Sequence, residues 1–285
     1  MTLSDFDQAL RHKYRVEPGG AFVPGVTSVI SIADKPGLRW ASSKIAAETA
    51  VLNSRKKRTI VPAHRAKLAA SKGKTDSAIK NRTLAENGTD DEIYVHFCRG
   101  EFDRQWRAKA TRGNRVHDVA ERWSRGEAVE VLDEDSKYVD ALETFHKIYK
   151  PKFKHVECVV LNREFSYGGR FDCIVELDGP GAEGLMMGDW KTGGEYVDSV
   201  SQQFEAYMQC QLPRYDAKGQ LESFEFLPQL DGARAIYLGG DGTVSVKDPF
   251  AIVPRHVAWR AFEASLDLFN AVKEMNNYID NLEES

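Results

Sequence analysis

The chain changes its hydrophobic period at Pro151, and that change restricts the fold more than any other feature. Before it the sequence runs in helical spacing. After it come two β-rich runs, "HVECVVLNREF" and "GRFDCIVELDG", with "SYGG" as the expected turn between them. A third short run, "GLMMGDWKT", follows. "ARAIYLGGDGTVSVKD" reads as a hairpin, because its "GGDG" supplies the positive-φ positions that tight turns need. Helical spacing returns in "SVSQQFEAYMQCQLPRY" and in the amphipathic stretch "RHVAWRAFEASLDLFNAVKEMNNYIDNL". The pattern is helices, a small sheet, then helices. It reads as one α/β domain over 1–285, helical at about 26–150, with a sheet core at 151–250 and a closing helix at 251–285.

Within the helical half, residues 1–25 form an irregular lead-in, and "GLRWASSKIAAETAVLN" is a helix of good formers. "PAHRAKLAAS" is expected to start at Pro62, whose ring suits a first helical position. "TDSAIKNRTLAEN" has Thr75 as its cap and Gly88 at its end. A longer helix is expected from about Asp91 to Arg125, interrupted near Gly113. "DEDSKYVDALETFHKIYK" closes this half at Pro151.

Several classes are disfavoured. The opening residues have no apolar h-region, and no run approaches the roughly 18 apolar residues of a membrane span. A cytoplasmic protein without a membrane partner is the expectation. Cys98, Cys158, Cys173 and Cys210 are far apart and make no C-x-x-C pair, so neither a zinc knuckle nor a disulfide framework is suggested. The net charge of −4 conceals an asymmetry. Residues 51–115 hold 16 Lys and Arg against 7 Asp and Glu, a balance of +9, while the remainder holds 23 against 36, or −13. Such a segment is either a solvated helical face or the footprint of a polyanion.

Three D-x-K triplets occur: Asp135-Ser136-Lys137, Asp189-Trp190-Lys191 and Asp216-Ala217-Lys218. The first and third lie in polar surroundings and read as surface charge. Only the middle one sits on an apolar run of β character. Alternation along a strand puts Asp189 and Lys191 on one face and packs Trp190 on the other. Asp172, leaving the expected "SYGGR" turn, enters the neighbouring run, where pairing would bring its carboxylate beside Asp189. Two carboxylates and a nearby carbonyl make a hard oxygen site suited to Mg²⁺ or Mn²⁺.

"GRFD…GDWKT" resembles the core of the PD-(D/E)XK nuclease superfamily, with an aspartate after a Gly-x-x step and then Asp-x-Lys on the next strand. Further pieces are similar to its RecB-like branch, the CRISPR-associated exonucleases and their phage-encoded relatives. "RGNRVHDVAERWSRG" looks like that branch's histidine helix and implies His117 as a metal ligand. "VECVVLNREFSYGGRFD" resembles its glutamate strand and implies Glu157, with Glu164 as a rival for the role. "QQFEAY" is similar to its Q-x-x-x-Y helix and implies Gln203 and Tyr207, four apart on one helical face. "VPGVTSVISIADKPGLRWA" resembles the lead-in of the phage members, so the likeness covers about residues 22–215.

The resemblance implies a restriction-endonuclease-like core, a small mixed sheet flanked by helices, with a helical N-terminal part and a C-terminal helix. It implies a metal-dependent deoxyribonuclease, most plainly an exonuclease acting at ends or on single strands and leaving a 5′-phosphate. One or two Mg²⁺ or Mn²⁺ ions would be held by His117, Glu157, Asp172 and Asp189, with Asp189 and Lys191 positioning the hydrolytic water. Many CRISPR-associated members carry an iron–sulfur cluster on four cysteines. Here nothing after Cys210 supplies the later thiolates, so a cluster-free relative is expected.

The branch's N-terminal helices arch over the active site. Arg55, Lys56, Lys57, Arg58, Arg65, Lys67, Lys72, Lys74, Arg104, Arg107, Lys109, Arg112 and Arg115 would there hold DNA phosphates. Trp40, Tyr94, Phe97 and Trp106 either stack on unpaired bases or pack the core. A recombinase or single-strand annealing protein is a conceivable partner. A DNA-binding accessory of recombination or packaging that keeps the fold without working as a nuclease is the alternative.

Overall fold

A computed structural model describes residues 14–17, 20–33, 36–73, 75–193 and 197–283. Lys74 and the side chain of Trp40 lie outside the described residues. The chain divides into two compact units, Asp34–Arg112 in one and Met1–Ala33 with Gly113–Ser285 in the other. The helical stretch read over residues 26–150 is therefore shared between both.

The smaller unit is helical: α2 (Pro36–Asn53), α3 (Lys57–Ala69), α4 (Asp76–Asn87) and the first part of α5 (Asp90–Ser124). Thr75 caps α4 by accepting the Ala78 N–H at 3.3 Å, as expected of a Thr at that place. Thr89 and Glu92 cap α5 reciprocally, the Glu92 carboxylate taking the Thr89 N–H at 2.7 Å and the Thr89 hydroxyl taking the Glu92 N–H at 3.3 Å. Pro62 does not start α3 but lies inside it, because the helix begins earlier at Lys57. Val61 and Leu68 of α3 bury against Ala85 and Ile93, a packing stronger than the local preference of proline for a helix start.

The larger unit is a seven-stranded mixed sheet in the order β5-β4-β1-β2-β3-β6-β7. Its strands are β1 (Lys152–Asn162), β2 (Tyr167–Leu177), β3 (Gly184–Lys191), β4 (Gln211–Tyr215), β5 (Leu221–Phe226), β6 (Gly232–Leu238) and β7 (Val244–Lys247). All neighbours are antiparallel except β3 and β6, which run parallel. The short α1 (Val26–Ile30), α7 (Val197–Met208) and α8 (Arg255–Glu283) cover one face. There Val29, Ile174, Met187, Phe204 and Phe262 are fully buried. The end of α5 and α6 (Ser136–Tyr149) cover the other, where Leu142, Phe145, Val175, Trp190 and Ile236 are buried. Helices on both faces explain why the central strands read as apolar runs rather than as alternations. Among the described residues no helix is long and apolar enough to cross a membrane.

Three local expectations are corrected. The hairpin turn is Arg163–Ser166, and Tyr167-Gly168-Gly169-Arg170 belong to β2. The two glycines are there for close approach rather than for turning. A Cβ on Gly168 would come within 2.7 Å of both Leu161 and the Tyr14 ring, and one on Gly169 would strike the Tyr207 ring. Gly113 does not interrupt α5; its missing side chain leaves room for Thr192 beyond β3. "QLPRY" is not helical but forms β4, because it pairs with β5 and with Leu161 of β1.

Gly169→Ala is expected to destabilise the protein by about 1–3 kcal/mol, the usual cost of overpacking a fitted core. Thermal denaturation monitored by circular dichroism would show it, and an unchanged midpoint would contradict the close-approach role.

Candidate metal centre

The sheet register aligns three carboxylates on three adjacent strands. Val156 pairs with Cys173 and Cys158 with Phe171, so Glu157 of β1 lies opposite Asp172 of β2. Cys173 pairs with Gly188, and one further step along the same register sets Asp172 opposite Asp189 of β3. Like charges directly across a sheet oppose folding, so this row demands compensation. Glu157 also has φ 54°, a left-handed backbone seldom adopted by a residue with a Cβ. Strain of that kind concentrates at functional sites.

The compensating groups come from three elements. Asp172 Oδ2 accepts the Trp190 N–H at 2.7 Å. His117, on α5, meets the Trp190 carbonyl through Nε2 at 2.6 Å, so Nε2–H donates there and Nδ1 is turned toward Asp172, 3.7 Å from its Oδ2. Trp190 thus orients one side chain with each end of its peptide, while its indole packs behind the sheet against Phe145 and Trp123. Lys191 is ion-paired with Asp189 and donates to Gln203 Oε1 at 3.1 Å. Gln203 Nε2 in turn reaches Asp189 Oδ1 at 3.4 Å and the Tyr207 hydroxyl at 3.3 Å. Val200, Phe204 and Tyr207 bury one stripe of α7, which fixes Gln203 at the carboxylates.

His117, Glu157 and Asp172 each offer a ligand atom, all within 4.8 Å of one another, and this half-buried group could hold a metal ion. The electrostatics fit a cation. Burial, with Asp172 and Glu121 adding, pushes the Glu157 carboxyl up to about 8. Burial and then Asp189 push Asp172 up to about 6. For His117 and Lys191 burial acts downward, but the neighbouring carboxylates prevail and raise both. A site whose carboxyls resist ionisation lacks positive charge, and a bound cation would supply it.

The sequence-expected residues His117, Glu157, Asp172, Asp189, Lys191, Gln203 and Tyr207 line one cavity of about 480 Å³. Asp189 lies outside the three-residue group and is held by Lys191 and Gln203. Glu164, the rival of Glu157, is exposed in the β1–β2 turn and lines a different pocket. The cavity also contains Tyr14, Asn114, Asp118, Glu121 and Arg170, which the sequence reading did not select. Glu121 stands one turn from His117, a spacing that could have pointed to it. The other D-x-K copies do different things. Asp216 caps the β4–β5 turn through the Lys218 and Gln220 N–H groups. Asp135 is not surface charge but is buried, bound by Arg115 at 2.7 Å.

The basic residues divide. Arg55, Lys56, Arg58, Lys67, Lys72, Arg107, Lys109 and Arg112 are exposed. Arg115 is committed to Asp135 and Glu134, and Arg65 to the Ala85 and Gly88 carbonyls and Asp90. Lys57 is paired with Asp91, and Arg104 binds Glu101 and the Phe97 carbonyl. These four serve the fold, because each satisfies a neighbouring acid or carbonyl. Of the aromatics, Tyr94 is tied by its hydroxyl to the Ala50 carbonyl and Phe97 lies under Arg104, whereas Trp106 is 47% exposed beside Phe102.

The chain matches no protein-family model, and no curated protein matches it.

The raised carboxyls give a pH dependence of definite sign. Glu157 titrates near 4.5 when unfolded and near 8 when folded, so between those values the folded protein keeps a proton that the unfolded chain has lost. Stability is therefore full below pH 4.5 and declines as pH rises toward 8, with Asp172 and His117 acting in the same direction. The melting temperature of the metal-free protein should fall from pH 5 to pH 8, Mn²⁺ should raise it most at pH 8, and Glu157→Gln should flatten the slope. Melting curves across that range, with and without Mn²⁺, test all three.

Proposed function

We propose that the chain is a metal-dependent deoxyribonuclease of the RecB-like PD-(D/E)XK type, an exonuclease hydrolysing phosphodiester bonds at DNA ends or in single strands. The observation that carries this reading is convergence. Five motif pieces scattered between residues 117 and 207 meet in one cavity, in a combination of imidazole, carboxylates, ammonium and amide suited to phosphodiester hydrolysis. His117, Glu157 and Asp172 would hold a divalent ion, and their two carboxylates and one imidazole favour Mg²⁺ or Mn²⁺. Such an ion supplies Lewis acidity toward a phosphate oxygen and makes water a nucleophile at neutral pH.

The chain's own groups do the rest. Asp189 fixes the Lys191 ammonium at the edge of the ligand group, and Gln203 holds both. Lys191 stays protonated there, so it is suited to neutralise charge that develops on the phosphate and to orient the attacking water. Tyr207 limits the travel of Gln203, and Trp190 limits that of His117 and Asp172. The smaller unit adds substrate affinity: Asp34–Arg112 contains 18 Lys and Arg against 9 Asp and Glu, a balance of +9, against −13 in the remainder. A protein acting on DNA in the cytoplasm, beside a recombinase or annealing protein, agrees with this chemistry.

End-labelled single- and double-stranded oligonucleotides incubated with Mn²⁺ or Mg²⁺ should be shortened. Asp189→Ala and Lys191→Ala should each slow cleavage by about 10²–10⁴, the range of a positioned acid–base or charge-stabilising group. Wild-type protein that binds linear DNA and leaves it intact with Mn²⁺ would remove this reading. A second measurement separates the basic residues. Replacing Arg55, Lys56 or Arg58 should weaken DNA binding and reduce the salt slope by about 1 each. Arg115→Ala should instead lower the melting temperature, since it strands the buried Asp135.

A further inference from the structure

The smaller unit contains a histidine pair. His64 of α3 and His96 of α5 are half-buried and face each other, with Nε2 and Nδ1 3.0 Å apart and ring centroids 5.3 Å apart. Two ring nitrogens share a hydrogen bond only while one of them lacks a proton. The pair is therefore intact when at least one imidazole is neutral, and it is lost when both are charged. Phe97 closes one side, its ring edge-on to His64 at 5.5 Å.

The groups around the pair are cations. Lys67 stands one turn beyond His64 on α3, and Arg99 one turn beyond His96 on α5; both are exposed. Arg104 reaches back along α5, donating to the Phe97 carbonyl at 2.9 Å with its guanidinium 4.6 Å from the Phe97 ring centre. Glu101 is occupied by Arg104 at 2.7 Å and by Gln105 at 3.1 Å, and α3 carries no Asp or Glu. Burial, followed by His96, Arg104 and Lys67, holds the His64 imidazole below its ordinary range. Burial, followed by Arg104 and Arg99, does the same for His96. No carboxylate opposes these cations at either ring. An anion placed among them would reverse the balance and let both imidazoles charge.

We propose that His64, His96, Lys67 and Arg99 form a phosphate-binding site for a DNA strand, in which protonation parts the histidine pair and turns both ring N–H groups to one phosphate. The inference rests on the reading of the chain as a DNA-processing enzyme, and it gives the smaller unit a defined phosphate contact. Charged imidazoles bind phosphate through charge-assisted hydrogen bonds, with Lys67 and Arg99 adding charge at the rim. Binding takes up protons, because each imidazole is held low in the free protein and rises beside the phosphate. Strand affinity therefore increases as pH falls from the raised values toward the lowered ones.

Two measurements on the full chain, in EDTA so that the strand stays whole, test the site. Nuclear magnetic resonance of the histidines from pH 5 to pH 8 should show the His64 and His96 midpoints raised by about one pH unit when a single-stranded oligonucleotide is bound. Fluorescence anisotropy of the labelled oligonucleotide should show roughly tenfold tighter binding at pH 5.5 than at pH 7.5. Replacing both histidines, His64→Gln with His96→Gln, keeps groups that can hydrogen-bond but removes the charge. That variant should lose most of the gain at pH 5.5 and stay within about twofold of wild type at pH 7.5. Lys67→Gln and Arg99→Gln should weaken binding at both values and lower the salt slope by about 1 each. Midpoints unmoved by the strand would make the pair a plain tie between α3 and α5 and overturn the site. An unchanged pH gain in the double variant overturns it as well, and so do midpoints raised equally by inorganic phosphate at the oligonucleotide's concentration. Should the double variant fail to fold by circular dichroism, the wild-type midpoints decide. Bound DNA left intact after Mn²⁺ is added removes the nuclease reading alone, since the binding outcomes stand without cleavage.

Discussion

Three carboxylates set side by side on β1, β2 and β3 impose the condition that the rest of the larger unit satisfies. Glu157, Asp172 and Asp189 are each largely removed from water, and each would be easier to bury alone than beside the other two. Each is met by a group of its own. Asp189 has the Lys191 ammonium, Asp172 has the Trp190 N–H with His117 beyond it, and Glu157 has the distant Arg170. The quality of compensation falls from Asp189 to Glu157. Positive charge is most wanted at Glu157, whose carboxyl is pushed up to about 8, against about 6 for Asp172.

Trp190 explains how so polar an arrangement is kept still. Its side chain is packed against Phe145, Phe153 and Trp123 on one face of the sheet, while its peptide N–H and C=O hold Asp172 and His117 at the other. An anchor buried among aromatic rings fixes β3 more firmly than the polar groups could fix themselves. The site is thereby tied to the core on α6 as well as to α7, and a change behind the sheet would be felt in the cavity.

How much of this was legible depends on whether the cause was local. The alternation that places Asp189 and Lys191 together and Trp190 opposite is a property of any strand, and it could be read from "GDWKT" alone. The Thr75 cap and the end of α6 before Pro151 were equally local. The glycine pair was not. Gly168 and Gly169 suggested a turn, yet they are needed because Tyr14 and Tyr207, far away in sequence, press on the strand. β4 was hidden for a similar reason, since "QLPRY" continues a helical spacing and becomes a strand only through partners on β1 and β5. The register that sets Asp189 beside Asp172 is likewise legible, but its pairing with Lys191 and Gln203 is a side-chain arrangement that register alone does not specify.

The arginines teach the same lesson about charge. A balance of +9 over Asp34–Arg112 suggests a surface built for phosphates, but the sum does not distinguish a guanidinium facing water from one locked inside the fold. Arg65 bridges α3 to the Ala85 and Gly88 carbonyls at the end of α4 and to Asp90 at the start of α5; Arg104 binds a backbone carbonyl and a carboxylate in the same way. Five donors in a rigid fork make arginine a good structural tie where a helix end leaves carbonyls unpaired. Such ties leave fewer cations facing solvent than the composition implies. Under the proposed nuclease reading, phosphates would be met by the exposed Arg55, Lys56, Arg58, Lys67, Lys72, Arg107, Lys109 and Arg112, and the salt dependence of binding should reflect those side chains rather than the net charge.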